Sequence, residues 1–572
     1  MWRKKRWIFL LIFIVVIGVG IGLSQRSPKI EPGSYLTVNL GGSFTDAPES
    51  SLTQELLGGG QPNLTDTVLQ LRKAALDLRL KGAVLRISPL NVSFAELQDL
   101  RDALAYLRKA GKEVIAWVIG EDGSGIAEYY LASAADRIYF AENALLPLLG
   151  LRANYIFLGG VWEKLGIDMQ VEKVREYKTF GDLLVGREMT EAHREMANSL
   201  LDSLHRQLLQ DIAEARGLTP EAVQKLIDGP TMTPADFQQA GLIDGTQYFD
   251  EVLESLKADG ETKPKTVSMS TYRRVKPGVV GLKPEAKIAL IYGMGGIVTG
   301  KSDWSATGDN MGSDTIVSAI NEAAEDDSIS AIVFRINSPG GSPLASDQIW
   351  HAVVRAKSKK PVIVSMSGAA ASGGYYIAAG ATHIVAQPAT LTGSIGIVFS
   401  HANIEGLLGK LGIRTETVSR GAYARLLSPA NSWSEEERQQ VQRLMHDLYG
   451  TFTQKVAQGR NMEVSDVDAV GRGRVWTGAQ AKEIGLVDEL GGLTTALRVA
   501  KEHIELSANA AVELIFFPKP KGLVTTLLER LGMRTRASLP PPLRQVAHQL
   551  LLLAREGSGK PLFTMPYVLQ ID

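Results

Sequence analysis

The 572-residue chain contains no cysteine. Disulfides, thiolate nucleophiles and cysteine-ligated metals are therefore excluded. Histidine is scarce as well: His193, His205, His351, His383, His401, His446, His503 and His548 are all there are. None forms a His-x-x-x-His pair that could hold a metal, so no metal or other cofactor is expected. Excess charge is missing too. The net charge is −1, and the 61 basic residues fall to 57, against 62 acidic ones, once Arg3, Lys4, Lys5 and Arg6 are set aside. A nucleic-acid partner calls for a basic face, so none is expected. An apolar content of 45% and a charged content of 22% describe a folded globular protein, and the length suits two domains plus extensions.

The first 26 residues set a topology. Trp7 to Leu23 is an unbroken apolar run of 17 residues behind four cations. That is the short end of what spans a bilayer. A cleaved signal peptide is the competing reading, but Ser24-Gln25-Arg26-Ser27-Pro28 offers no small-x-small site. The expectation is an N-terminal transmembrane helix over 7–23, with residues 1–6 in the cytoplasm and the remainder facing outward.

Most informative is an internal repeat. Gly373-Gly374-Tyr375-Tyr376-Ile377-Ala378-Ala379 superposes on Ala127-Glu128-Tyr129-Tyr130-Leu131-Ala132-Ser133 at an offset of 246 residues. Ala240-Gly241-Leu242-Ile243-Asp244 superposes on Ile484-Gly485-Leu486-Val487-Asp488 at 244. Each copy opens with an apolar strand, Tyr35–Val38 or Ile288–Ile291. A helix follows, with apolar residues at Val68, Leu71, Ala75 and Leu78 in the first copy and through Ile316 and Ile320 in the second. Next comes a buried-strand signal, Ala83–Ile87 or Ala331–Ile336. Strands alternating with helices predict an α/β fold of βαβ units with a mostly parallel sheet. The expected organisation is a first repeat over 35–256, a polar linker over 257–281, a second repeat over 282–507 and an extension over 508–572. Leu543–Arg555 in that extension is an apolar helix expected to pack on the body or on a neighbouring subunit.

The repeats differ where chemistry would be. Ser372, in Ala371-Ser372-Gly373, faces Ile126, and Lys178 faces Ala424. One copy has a serine in a small-residue turn and no lysine; the other has the lysine and no serine. A serine hydroxyl is a poor nucleophile until a base takes its proton, so the two copies together would make one composite site. As a base Lys178 must be neutral, with a pKa far below the ~10.4 of a free lysine. Ser394, in Thr392-Gly393-Ser394-Ile395-Gly396, is a possible hydroxyl partner, and Leu148 stands at its place in the first repeat. Asn337-Ser338-Pro339-Gly340-Gly341 follows a buried strand, where a turn aims backbone N–H groups into a crevice; the first repeat has Ser88-Pro89-Leu90 there. The N–H of Gly373 could reach a developing oxyanion. Ala370–Gly374 is one residue from a Gly-x-Ser-x-Gly elbow, but an α/β-hydrolase is not a tandem duplication.

Ser-Pro-Gly-Gly, Ala-Ser-Gly-Gly-Tyr-Tyr, Thr-Gly-Ser-Ile-Gly and Gly-Leu-Val-Asp-Glu, in that order, resemble the signal peptide peptidase A family over about residues 35–500. Short members carry serine and lysine in one domain; Ala424 departs from that pattern and fits the long tandem-repeat bacterial type. The resemblance implies a duplicated crotonase/Clp protease-like domain and a serine–lysine dyad. It also implies a homo-oligomer, possibly a tetramer, anchored in the bacterial inner membrane with its catalytic part on the periplasmic side. The implied substrates are hydrophobic peptides, signal peptides among them. The implied roles are Ser372 as nucleophile, Lys178 as base and then acid, Ser394 as the hydroxyl orienting the lysine, Gly341 and Gly373 as oxyanion donors, and Gly340 in substrate binding. A crotonase-type acyl-CoA enzyme and a catalytically dead membrane scaffold are the alternative readings.

Overall fold

The computed structural model describes residues 27–46, 63–121, 124–229, 231–305, 308–518 and 561–564. The expected transmembrane helix over 7–23 and the helix Leu543–Arg555 lie outside the described residues. Among the described residues no helix is long and apolar enough to cross a membrane.

Each repeat builds its own parallel sheet. In the first the strand order is Gly245–Thr246, Arg137–Phe140, Glu113–Val118, Leu80–Leu90, Ser34–Gly42 and Thr266–Ser268, all parallel. In the second, Val362–Ala371, Ile329–Ser338, Ala286–Met294 and Val512–Phe517 run side by side in the same sense. His383–Ala386 lies beside Val362–Ala371 and then meets Glu489–Leu490. Strands covered by helices on both faces must be apolar on both. Ala83, Val84, Leu85 and Ile87 are accordingly sealed, as are Ala331, Ile332, Val333 and Phe334.

Two local readings change. Helix Leu64–Leu76 stops at Asp77, whose backbone is extended and whose N–H still donates to Ala74 O. The Asp77 carboxylate binds Arg79. Leu78 therefore stands in the turn, 94% exposed, instead of extending the buried stripe of Val68, Leu71 and Ala75. The segment expected to be a linker contributes the edge strand Thr266–Ser268, and Val512–Phe517 is its counterpart in the second sheet. The repeat thus reaches further than sequence similarity shows, because an edge strand needs backbone pairing more than particular side chains.

The repeats are joined in two ways. Arg335, on the strand Ile329–Ser338, is fully buried and reaches Asp46 and Asp99 of the first repeat as well as Ser365 and Ser367 beside it. One buried cation thereby holds carboxylates of one repeat against the strand that leads to Ser372. Burial and the nearby Asp46 carboxylate push Glu96, in the same seam, up to about 7. The second join is a ladder. Val398–Asn403 of the second repeat pairs antiparallel with Asp168–Lys173 of the first, with Val398 opposite Lys173 and Asn403 opposite Asp168.

Candidate active site

That ladder decides the site. Continued by four residues, its register puts Tyr177 and Lys178 opposite Ser394 and Gly393. The Val174 N–H still donates to Ile397 O at 3.3 Å, and the Tyr177 N–H donates to Arg472 O at 3.1 Å. Lys178, 194 residues before Ser372, has its Nζ 2.8 Å from Ser372 Oγ. It also lies 2.9 Å from Ser394 Oγ and 3.1 Å from Ser394 O. All three side chains are completely buried.

Ser372 sits at a sharp corner. The strand Val362–Ala371 ends there and helix Gly373–Ala378 begins, with Ser372 at φ 53° and ψ −114°. That region is costly for any residue with a Cβ, on the order of 1–3 kcal/mol. The corner is held by the Ser372 N–H donating to Gly393 O at 2.8 Å and by Ser372 O accepting from Tyr376 N–H at 2.8 Å. Ser394, at φ 51°, is also in left-handed backbone, fixed by its N–H donating to Arg474 O at 2.7 Å.

Burial pushes the Lys178 amine well below the usual lysine range. The geometry suits the neutral form. A neutral amine has two N–H donors and one lone pair: the donors can serve Ser394 O and Ser394 Oγ, leaving the lone pair to accept the Ser372 hydroxyl proton. A protonated amine so enclosed would have no counter-charge. Among the described residues no group of histidines and carboxylates could hold a metal ion.

Gly340 and Gly341 lie on the other side of Ser372. They adopt φ 108° and 156°. A methyl group on Gly341 would stand 2.2 Å from Ile297 O, so only glycine fits. A methyl group on Gly373 would stand 3.2 Å from Gly341 N, which places these two backbone segments against each other beside the Ser372 hydroxyl. Between Gly340–Gly341 and Val398–Asn403 runs Pro561–Thr564 of this same chain, antiparallel to both. Phe563 is opposite Gly341, Thr564 opposite Gly340 and Leu562 opposite Val398.

The sequence model of peptidase family S49 matches residues 106–263 and 354–507, one stretch in each repeat and more than half of the chain. The chain belongs to peptidase family S49. Similar proteins span nearly all of it. The chain is 34% identical over 510 residues to the serine protease SPPA, chloroplastic, of Arabidopsis thaliana, covering 88% of this chain and 74% of that one. It is 31% identical over 560 residues to Protease 4 of Salmonella typhi, covering 92% and 88%. It is 28% identical over 591 residues to Protease 4 of Haemophilus influenzae, covering 96% and 94%. As a member of family S49 the protein is a serine peptidase, which sets aside the acyl-CoA reading.

Three features of this S49 site are not apparent from the motifs. Gly473 packs its backbone on Lys178, and a methyl group there would stand 2.5 Å from Lys178 N. Gly396, read only as part of a motif, lies against the Lys178 stem, where its methyl would meet Cδ at 3.2 Å. Glu128 fills the first repeat's equivalent corner, receiving Leu90 N–H and Gly125 N–H, each at 2.6 Å. The 246-residue offset, which pairs Glu128 with Gly374, is the signal that could have found it.

Proposed function

We propose that the protein is a membrane-anchored endopeptidase working with a Ser372–Lys178 dyad on apolar, unfolded peptides such as cleaved signal peptides. The observation that carries the proposal is the 2.8 Å contact between Lys178 Nζ and Ser372 Oγ in a fully buried setting. Lys178 takes the Ser372 proton as Oγ attacks the peptide carbonyl, and a C–O bond forms. The N–H groups of Gly341 and Gly373 receive the oxyanion. The Lys178 ammonium then protonates the departing amine as the C–N bond breaks, leaving an acyl-enzyme. Water attacks the ester after giving its proton to Lys178, and that proton returns to Ser372 as the carboxylate product leaves. Ser394 holds the amine in line throughout. No third carboxylate is needed, because an amine has no tautomer to fix, unlike imidazole.

Two features support the substrate class. Ile297 lies against Gly373, and Ala371 packs with Leu391, Val475, Met196 and Leu200. The backbone edges at Gly340–Gly341 and Val398–Asn403 accept an extended strand, as Pro561–Thr564 exemplifies. Strand addition gives affinity with little demand on sequence. The anchor over 7–23, outward-facing catalytic repeats of crotonase/Clp type and a homo-oligomer complete the reading.

The test uses protein lacking residues 1–26 and a fluorophosphonate probe. The probe should label wild type at Ser372 and should fail on Ser372→Ala and Lys178→Ala. The same protein should cleave unfolded apolar peptides faster than charged, folded proteins. Labelling of Lys178→Ala at the wild-type rate would remove the dyad. A preference for charged, folded substrates would remove the signal-peptide role and leave the dyad standing.

A further inference from the structure

The lysine reaches its serine by passing between two glycines of the other repeat. Gly473, at φ +82°, abuts the backbone of Lys178: a methyl group there would lie 2.5 Å from Lys178 N and 2.7 Å from both Cα and Cβ. Gly396 has ordinary backbone geometry, yet its methyl would lie 2.8 Å from Gly473 Cα and 3.2 Å from Lys178 Cδ. Neither clash could be relieved by swinging a side-chain tip aside, because the first atoms met are backbone. The two glycine loops are tied together by Gly473 N–H donating to Ile395 O and Ser394 N–H donating to Arg474 O, both at 2.7 Å. They are tied to the lysine's own strand by Tyr177 N–H donating to Arg472 O. At the rim, ion pairs Arg472–Glu176, Arg175–Asp468 and Arg474–Glu195 cross from one repeat to the other.

We propose that Gly396 and Gly473 are positioning residues of the reaction: they form a slot in the second repeat that admits the Lys178 stem and holds its amine against Ser372 with water excluded. The proposal rests on the reading of Lys178 as the base. It explains why neither glycine can be replaced without moving the amine or opening the seam beside it. Glu176, Tyr177, Asp468, Arg472, Arg474 and Glu195 are the titratable or charged groups on the packed elements. They neighbour one another at the rim, and burial is the cause of the displaced Lys178 pKa.

The experiment measures kcat, KM and the pH profile of full-length Gly396→Ala, Gly473→Ala and Gly412→Ala on an unfolded apolar peptide. Gly412 is the control: it shares the left-handed backbone, at φ +74°, but a methyl group there meets nothing within 4 Å. A displacement near 1 Å can cost about 10²-fold in rate, so Gly396→Ala should lose about 10²-fold in kcat at pH 7 with KM within about threefold. Its pH midpoint should move upward, toward the ~10.4 of a solvated lysine, so that part of the rate returns in alkali. Gly473→Ala should lose at least as much, and Gly412→Ala should stay within about twofold of wild type. A Gly396→Ala enzyme with the wild-type midpoint, or one no worse than Gly412→Ala, overturns the slot. A Gly396→Ala protein that fails to fold overturns it equally, since the glycine is then only structural. Failure of the underlying reading looks different: wild type itself would show no ascending limb with pH, or Lys178→Ala would stay active.

Discussion

The two repeats share strand order, and each turns from a buried strand into a short buried helix at the same place, yet the corners have opposite contents. In the second repeat the corner carries Ser372, then Gly373 and Gly374, and the space beside the hydroxyl is bounded by glycine backbone. In the first repeat the corner carries Ile126, then Ala127 and Glu128. The Glu128 carboxylate occupies the backbone N–H groups of Leu90 and Gly125. Two N–H groups converging on one negative oxygen-bearing group is also what an oxyanion site offers. The first repeat has closed that feature with its own side chain, and buried Glu128, 1% exposed, makes a structural clamp of it. The lysine position is reversed in the same manner. Lys178 is sealed in the seam, whereas its counterpart Ala424 lies in the surface segment with Tyr423, 46% exposed. Duplication thus let each copy keep one half of the chemistry and turn the other half into scaffold.

The comparison breaks most completely if either half proves dispensable. Ser372→Ala and Lys178→Ala should each reduce kcat by at least about 10³-fold. The double variant should lose little more, because groups that act as one unit are strongly non-additive. Single-turnover hydrolysis of an apolar peptide measures this, and a double variant losing the product of the two single effects would separate the roles.

A second prediction copies the first repeat's clamp into the second. Gly374→Glu should lower kcat/KM by about 10²–10³-fold, the loss expected when oxyanion donors are taken. It should also block fluorophosphonate labelling while circular dichroism remains native. Near-wild-type labelling would mean that the two corners are not functional equivalents.

Smaller effects sharpen the picture. Ser394→Ala removes one acceptor of the Lys178 amine and leaves the carbonyl of the same residue. Activity should fall about 10-fold, within the range of a positioned proton-transfer partner, without being abolished. The KM for peptide is the readout of the strand Pro561–Thr564. Deleting residues 556–572 frees the backbone edges at Gly340–Gly341 and Val398–Asn403, so KM should fall several-fold with kcat unchanged.

The last prediction concerns stability. Burial holds the Lys178 pKa below its unfolded value, so unfolding takes up a proton and the buried amine costs stability wherever the unfolded lysine is charged. That cost is present at neutral pH and fades as pH rises toward ~10.4. Lys178→Met should therefore raise Tm at pH 7 while abolishing activity, and the gain should shrink on going to pH 10. A Tm gain independent of pH would show that packing, not charge, is responsible.

Much of this was legible in the chain. Apolar strand runs flanked by helical spacing marked both parallel sheets, because strands covered on two faces must be apolar throughout. Ser372 and Lys178 stood out because each is missing from the other copy. Legibility failed where backbone geometry, not side-chain pattern, decides. The edge strands Thr266–Ser268 and Val512–Phe517 read as linker and tail, and Leu78 continued a helical stripe that Asp77 in fact terminates. Gly473 carries no signal that separates it from any other loop glycine.

By itself, the sequence determined that the fold is duplicated, that each copy holds a parallel sheet, and that serine and lysine reside in different copies. Local pattern suffices for these, since periodicity and internal alignment depend on neighbours along the chain. Only the tertiary structure decided that Lys178 Nζ stands 2.8 Å from Ser372 Oγ. It alone placed that amine between two glycines and closed the first repeat's corner with Glu128. Those outcomes depend on the antiparallel register of Val398–Asn403 against Asp168–Lys173 and on how the seam around Arg335 packs. Such contacts join residues hundreds of positions apart, and no local run of amino acids specifies them.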